Sequence, residues 1–436
     1  MKLRPFELSL VIIFGLLGLV ALFVVSNYTP APAKAPASGA IVGQVTVWGT
    51  LPQAAINDVL EQLEKQNEQF ENVSYRYYNP DTFDTQLTNA LADRTGPDLI
   101  LVSHERLVDM RKRIQSISYE SFPLRDVKNL YVDGVEIFAL NDGLYSFPIA
   151  IDPLMMYWNR DILSTNGFLE APETWENLVN SVFPKIIERD FNRTVQRSVV
   201  AMGEYENVRN AYGVISALFI QGGSSGVTET GGGRYSIQLQ NRIGGGGDPL
   251  RSAVDFYTRF SKPGNTLYSW NRSLPEDRLS FASEDLAFYF GFASEGKQIQ
   301  KMNPNLNFDI AEVPQDGSTT VRRTYGKFYG LSALKSSENL AGAFSVMSSF
   351  SNQSIADAIA ISSNMTPVFR ASLSAGSNDT YGRAAYRSAS IARGWLNPNK
   401  AQVDSIFQTM TQDINENRRD LSEAVSDATG RLEITY

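Results

Sequence analysis

The chain of 436 residues has no cysteine and one histidine, His104, and each scarcity removes a class of chemistry. Without cysteine there are no disulfides, no thiolate metal ligands and no lipidated N-terminal Cys. One histidine cannot complete the usual His and Cys zinc sets. It also defeats the one hydrolase signature in the chain. Gly222-Gly223-Ser224-Ser225-Gly226 matches a nucleophile elbow centred on Ser224, but an elbow needs a following helix and a later histidine, and His104 lies upstream. Basic residues are in deficit, 39 against 47 acidic ones, for a net charge of −8. That leaves no basic surface to neutralise phosphates, so a polynucleotide partner is excluded.

Two further motifs are incomplete. Gly291, Gly296 and Lys297 have the spacing of a phosphate-binding loop, but Gln298 stands where the magnesium-holding Ser or Thr belongs. The oxygen-rich NPNLNFD stretch starts like a calcium loop, but its sixth position is Phe308 and its twelfth Pro314, where glycine and glutamate are required. No catalytic residue, metal or cofactor is expected.

What is present begins with LSLVIIFGLLGLVALFVV, residues 8–25, an uncharged run with fourteen Leu, Ile, Val or Phe. At 1.5 Å per residue it spans roughly 27 Å, close to the hydrocarbon thickness of a bilayer. Lys2 and Arg4 precede it and no basic cluster follows, so the positive-inside rule exports the rest of the chain. Residues 1–25 are therefore expected to be a membrane anchor, with a cleaved signal as the alternative, and the body to be extracytoplasmic, at the cell surface or in a periplasm. Residues 26–40, SNYTPAPAKAPASGA, form a Pro/Ala linker without the means to build a core.

The body, residues 41–436, opens with strand-like VTVWGT, a helix with Ile56, Val59, Leu60, Leu63 and Phe70 on one face, strand VSYRYY, a second helix, and the nearly continuous apolar DLILV. This alternation predicts a doubly wound α/β lobe. A second series starts at SFPIAIDPLMMYWNRDIL, with Thr174 as the expected cap of a helix over APETWENLVNSVFPKIIE. The glycine-rich stretches between 222 and 248 are expected to be loops. Aromatics fall at predicted strand ends and loops: Trp48, Tyr157, Trp158, Trp270, Phe292, Tyr325, Phe328, Tyr329 and Trp395. Flat rings beyond the strand ends could stack on sugar faces while carboxylates and amides bond the hydroxyls, although any one ring taken alone is more often core packing.

Seven blocks in order, VTVWGT, GPDLILV, LYSFPIAIDPLMMYWNRDIL, APETWENL, LAFYFGFASE (preceded by LYSWN), FYGLSALKSS and ARGWLNP, resemble the extracellular solute-binding proteins of ABC importers, family 1, the branch typified by maltose-binding protein. The resemblance implies a type II periplasmic-binding-protein-like fold of two α/β lobes, preceded here by one transmembrane helix. The first lobe would take about 41–147 plus 311–350 and the second about 148–310 plus 351–436. It implies capture of a mono- or oligosaccharide by a monomer that delivers it to ABC permease subunits without chemical change. Carried over residue by residue, it places Trp48 and Gly49 at the first cleft loop, and Ser103 and His104 after the third strand. It places Asp152, Tyr157 and Trp158 in the crossing block, Phe292, Ala293 and Ser294 facing the sugar, and Tyr329 and Trp395 on the far side, with Trp270 among the cleft aromatics. Lys297 would be ordinary helix surface. Two other classes stay open: a glycoside hydrolase using two carboxylates, and a ligand-sensing partner of a membrane receptor.

Overall fold

The structure, a computed structural model, describes residues 42–436; the anchor expected at 1–25 and the linker expected at 26–40 lie outside the described residues. Among the described residues no helix is long and apolar enough to cross a membrane.

The first lobe forms where strand and helix periods alternate. β1 (Val45–Gly49) is followed by α1 (Gln53–Gln66), which buries Ile56, Val59, Leu60 and Leu63. β2 (Val73–Tyr77), α2 (Phe83–Ala92) and β3 (Leu99–Ser103) complete the series. β1 pairs in parallel with both β2 and β3. β3 is buried at every position, as its unbroken apolar run requires in a sheet covered on both faces.

β4 (Phe147–Asn159) runs for 13 residues and is almost wholly buried. The second series then supplies β5 (Val195–Val200), α3 (Ala211–Gln221), the antiparallel pair β6 (Val227–Gly231) and β7 (Arg234–Ile237), β8 (Leu286–Phe292), α4 (Gly296–Met302) and β9 (Phe308–Glu312). The chain returns through β10 (Thr324–Ala333) and closes with α5 (Gln353–Ser362), α6 (Thr380–Ile391), the short β11 (Ala392–Arg393), α7 (Lys400–Asn415) and α8 (Leu421–Thr435).

The main sheet has the order β2-β1-β3-β10-β4-β8-β5, ending at Glu188–Arg189. Its two halves meet within β4. Phe147 to Pro153 pair with β10, while Leu154 to Trp158 pair with β8 and Met155 to Asn159 with β9. Pro153 stands at the changeover, where a residue without an N–H gives up no ladder bond.

Two local expectations are corrected. The helix starting at Thr174, whose hydroxyl does accept from Asn177 N at 3.1 Å, widens into a π-type turn over Leu178–Val182 before Phe183–Ile186. Pro184 follows at once, and the wider turn removes the crowding its ring would cause in a regular helix. The glycine-rich stretch is not all loop: β6 and β7 form a hairpin whose turn, Gly231-Gly232-Gly233, has φ of +101°, +61° and +75°. Only glycine adopts such a run without strain.

Candidate ligand-binding site

The sheet changeover gathers the polar groups. Directly opposed residues of an antiparallel pair project to one face. Lys327 of β10 lies opposite Asp152 of β4, and Tyr329 lies opposite both Ala150 and Ser103. Tyr325, Lys327 and Tyr329 therefore share a face with Asp152 and with the end of β3. The Asp152 carboxylate is buried and accepts from Ser294 N at 2.9 Å and Ser294 Oγ at 2.6 Å. Burial pushes its pKa up to about 6 against these two bonds. The Lys327 ammonium lies 3.9 Å from the centre of the Phe292 ring.

The loop after β3 adds a second carboxylate. Glu105 is buried and accepts from the Tyr325 hydroxyl at 2.6 Å. Burial alone would raise its pKa, but Lys327, Lys400 and His104 hold it below the usual carboxylate range. Tyr212, from the first turn of α3, packs edge-on against Tyr325 at 5.6 Å, accepts from Asn397 Nδ2 at 2.9 Å, and carries the Lys400 ammonium 4.4 Å above its ring. One continuous group thus holds two carboxylates, two ammoniums, the Ser294 hydroxyl and the rings of Phe292, Tyr325, Tyr329 and Tyr212. No residue of the group lines a cavity of about 740 Å³ nearby, whose walls include Ala293, Lys297, Thr366 and Tyr381, but chain neighbours connect the two. Ala293 precedes Ser294 in the chain, and Thr366 bonds Ile151, the residue before Asp152.

The expected residues separate into those that join this group and those that do not. Asp152, Phe292, Ser103 and Tyr329 join it, and Ala293 lines the cavity. His104 touches it as a packing element. Its Nδ1 accepts from Phe328 N at 3.1 Å, burial lowers its pKa to about 4, and a Cβ on Gly394 would come within 2.5 Å of its Nε2. Trp48 sits at the rim of the same sheet, its ring 4.5 Å from Tyr78 with the Arg76 guanidinium over both. Gly49 is there for packing, since a Cβ would meet Leu101 O at 2.7 Å and the Tyr75 hydroxyl at 2.8 Å.

Three aromatic expectations, Tyr157, Trp158 and Trp270, are corrected, whereas Trp395 is packed on one side and lines a cavity of about 490 Å³ on the other. Tyr157 is fully enclosed among Phe281, Tyr289 and Phe308, and its hydroxyl donates to Phe292 O at 2.6 Å. Trp158 packs beneath Arg160 at the far end of β4. Trp270 is completely buried with its indole N–H on Asn207. Trp395 donates to Ser216 and stacks on Phe407 and Tyr212. For Tyr157, Trp270 and Trp395 the polar tip already has an internal partner, and Trp158 is buried beneath Arg160. Lys297 is exposed on α4, as expected, and borders the cavity.

Glu105, Lys327, Tyr212 and Lys400 went unread. For Lys327 the signal was present: in TYGKFYG the alternation of Tyr325, Lys327 and Tyr329 puts the lysine on the aromatic face of a strand. Tyr212 and Lys400 had none, because they reach the group from helices far along the chain.

No described protein family matches this sequence as a family. Three curated relatives from Brucella abortus and Brucella suis, named only provisionally as binding proteins, are 22% identical over 266 residues, 60% of this chain. The chain spans 60% of the length of each of them. Solved structures match far more of it. A cyclo/maltodextrin-binding protein complexed with maltotetraose superposes at TM-score 0.71 over 91% of this chain and 98% of its own, with 16% identity. The sugar-binding protein MalE from Xanthomonas citri gives 0.70 over 90% and 97%, and a solute-binding protein of an ABC transporter from Thermotoga lettingae, bound with α-D-tagatose, 0.68 over 90% and 99%, both at 16% identity. At that identity the likeness establishes architecture: the chain has the two-lobe α/β fold of the ABC-transporter solute-binding proteins.

Proposed function

We propose that the protein captures a carbohydrate at the Asp152–Lys327 group and delivers it unchanged to an ABC permease. In this reading it acts as a monomer held outside the cytoplasm by a helix over residues 8–25. The observation that carries the reading is the joining of Asp152, Ser294, Lys327, Glu105 and the Phe292 and Tyr325 rings at the strand changeover between the lobes. Carboxylate and ammonium groups bond sugar hydroxyls in both directions, while rings cover the apolar faces of the pyranose. Two of the structural neighbours hold maltotetraose and tagatose, which gives the reading its ligand class. Hinge closure about β4 and β10 would complete the bonds and expel water.

Calorimetric titration of the full chain, in a non-glycosidic detergent, with maltotetraose, D-tagatose and a panel of other sugars tests this. At least one sugar should bind, and Lys327→Met should weaken it by about tenfold or more in protein that still unfolds in one cooperative transition. If no sugar in the panel releases heat or shifts the melting temperature, the reading fails. Release of new reducing ends from glycosides would favour a hydrolase instead.

A further inference from the structure

The cavity of about 490 Å³ that Trp395 lines lies between the lobes. Its first-lobe wall comes from residues 133–141, and its second-lobe wall includes Ile220, the start of the β6–β7 hairpin and Trp395, whose ring packs against Tyr212 of the Asp152–Lys327 group. Asn141 and Glu229 both border the cavity, and at that end the lobes touch.

The touching parts are two hairpins with fixed bases. In the first lobe Ala139–Leu140 pairs with Gly143–Leu144, and the Tyr119 hydroxyl pins that pair by donating to Leu140 O at 2.6 Å. In the second, a Cβ on Gly226 would come within 2.5 Å of the Trp395 Cβ, and the Tyr235 ring lies 5.2 Å from that of Tyr436. The two meet through one cation and one anion. Arg111 is positioned on the first lobe by Asp142 at 3.0 Å and by the Tyr145 hydroxyl at 3.3 Å, which itself donates to Asp142 at 2.8 Å. Across the gap Arg111 reaches Glu229 at 2.5 Å and the Tyr235 hydroxyl at 3.3 Å, while Glu229 accepts from Asn141 N at 2.8 Å. The Arg111 side chain is 12% exposed and that of Glu229 4%. Burying two charges costs solvation, and that cost is recovered only where the remaining donors and lone pairs also find partners. Here they do on both sides, so the pair favours the touching state over one in which each lobe carries its charge into water.

We propose that the β6–β7 hairpin is a latch: Glu229 on Arg111 holds the lobes together in the ligand-free protein, and a ligand reaches the cavity only after this contact opens. The latch rests on the sugar-capture reading for what it admits, and on the hairpin contacts alone for whether it closes. An equilibrium held on the closed side leaves a small binding-competent fraction, which slows ligand uptake as well as release.

Because the chain has no cysteine, two introduced cysteines are its only thiols and carry spin labels at known places. Glu120→Cys on the first lobe and Arg251→Cys on the second-lobe helix Pro249–Thr258, both at exposed positions, report lobe separation in the full chain, in the same detergent and without any sugar. The parent should give one narrow distance. Glu229→Gln and Arg111→Gln cut the latch from opposite lobes, and each should move about half of the molecules or more to a longer distance. Asp142→Asn removes a partner of the same arginine within its own lobe and should keep the parent distance. In a separate chain with Ala139→Cys as the sole thiol, in the cavity wall, a maleimide reagent should react about tenfold or more faster once Glu229→Gln is added. Variants are compared as protein that still unfolds in one cooperative transition, and since the two cuts lie on different lobes, one that folds decides the matter. An unchanged distance in a folded latch variant, or a parent already at the longer distance, overturns the proposal. Lengthening by Asp142→Asn as large as that by Glu229→Gln overturns it too, because the arginine would then be holding its own lobe rather than the other. The distances need no ligand, so failure of every sugar to bind would sink the capture reading and leave the latch standing.

Discussion

Asp152 is enclosed at the strand changeover with its carboxylate on Ser294, and burial pushes its pKa up to about 6 from 3.8. The sign of the consequence differs for stability and for binding. A raised folded pKa lends stability that is fully present below about 3.8 and is lost as pH rises through about 6. A ligand hydroxyl donating to the carboxylate needs the charged form, so affinity should run the other way. Sugar binding measured from pH 8 down to 4 should hold above the pKa and then fall by about tenfold per unit below it. Asp152→Asn should remove that dependence; a profile that stays flat in the parent would dissociate Asp152 from the ligand. Glu105, nearby but held low by its lysines, should not add a step in this range.

Among the elements, the β6–β7 hairpin has the most decided attachment. Arg111, from the loop after β3, meets Glu229 of β6 at 2.5 Å, Asp142 at 3.0 Å and the Tyr235 hydroxyl of β7 at 3.3 Å. Glu229 also accepts from Asn141 N at 2.8 Å, and its side chain is only 4% exposed. Removing one partner of a buried pair leaves the other charge desolvated and unpaired, which costs more than the pair contributes. Glu229→Ala should therefore destabilise by up to about 3 kcal/mol, the low end for such a pair because Asp142 still faces Arg111. Urea unfolding measures it; a change within about 0.5 kcal/mol, ordinary for a surface site, would show the hairpin to be loosely held. The hairpin was legible after the fact, since VTET and RYSI alternate on either side of three glycines. The π-type turn before Pro184 was not, because its width depends on how Leu178 and Val182 seat in the core.

For the whole molecule, the anchor expected over residues 8–25 decides where the two-lobe body works. Full-length protein expressed in a bacterial host should stay in the membrane pellet after alkaline carbonate extraction, and a chain starting at residue 41 should be released. Recovery of the full chain in the supernatant would favour cleavage or a peripheral attachment. Order along the chain was sufficient to place the first lobe's elements: β1, α1, β2, α2 and β3 all fall where period and apolar runs put them. Hydrophobic alternation is a local property, so a single sequence carries it in full. The same locality explains the aromatic errors, because Trp158 and Trp270 look like the cavity-lining Trp395 in sequence, whichever way each ring packs.

The amino-acid sequence by itself determined the elements, their α/β alternation, the exclusion of thiol, zinc-finger and polynucleotide chemistry, and the place of Asp152 in the crossing strand. Only the tertiary structure decided that Glu105, Lys327, Tyr212 and Lys400 meet it, and that Tyr157, Trp158 and Trp270 are core rings while Trp395 lines a cavity. Which charges become neighbours depends on strand pairing across more than a hundred residues, and no local pattern encodes the partner of a buried side chain.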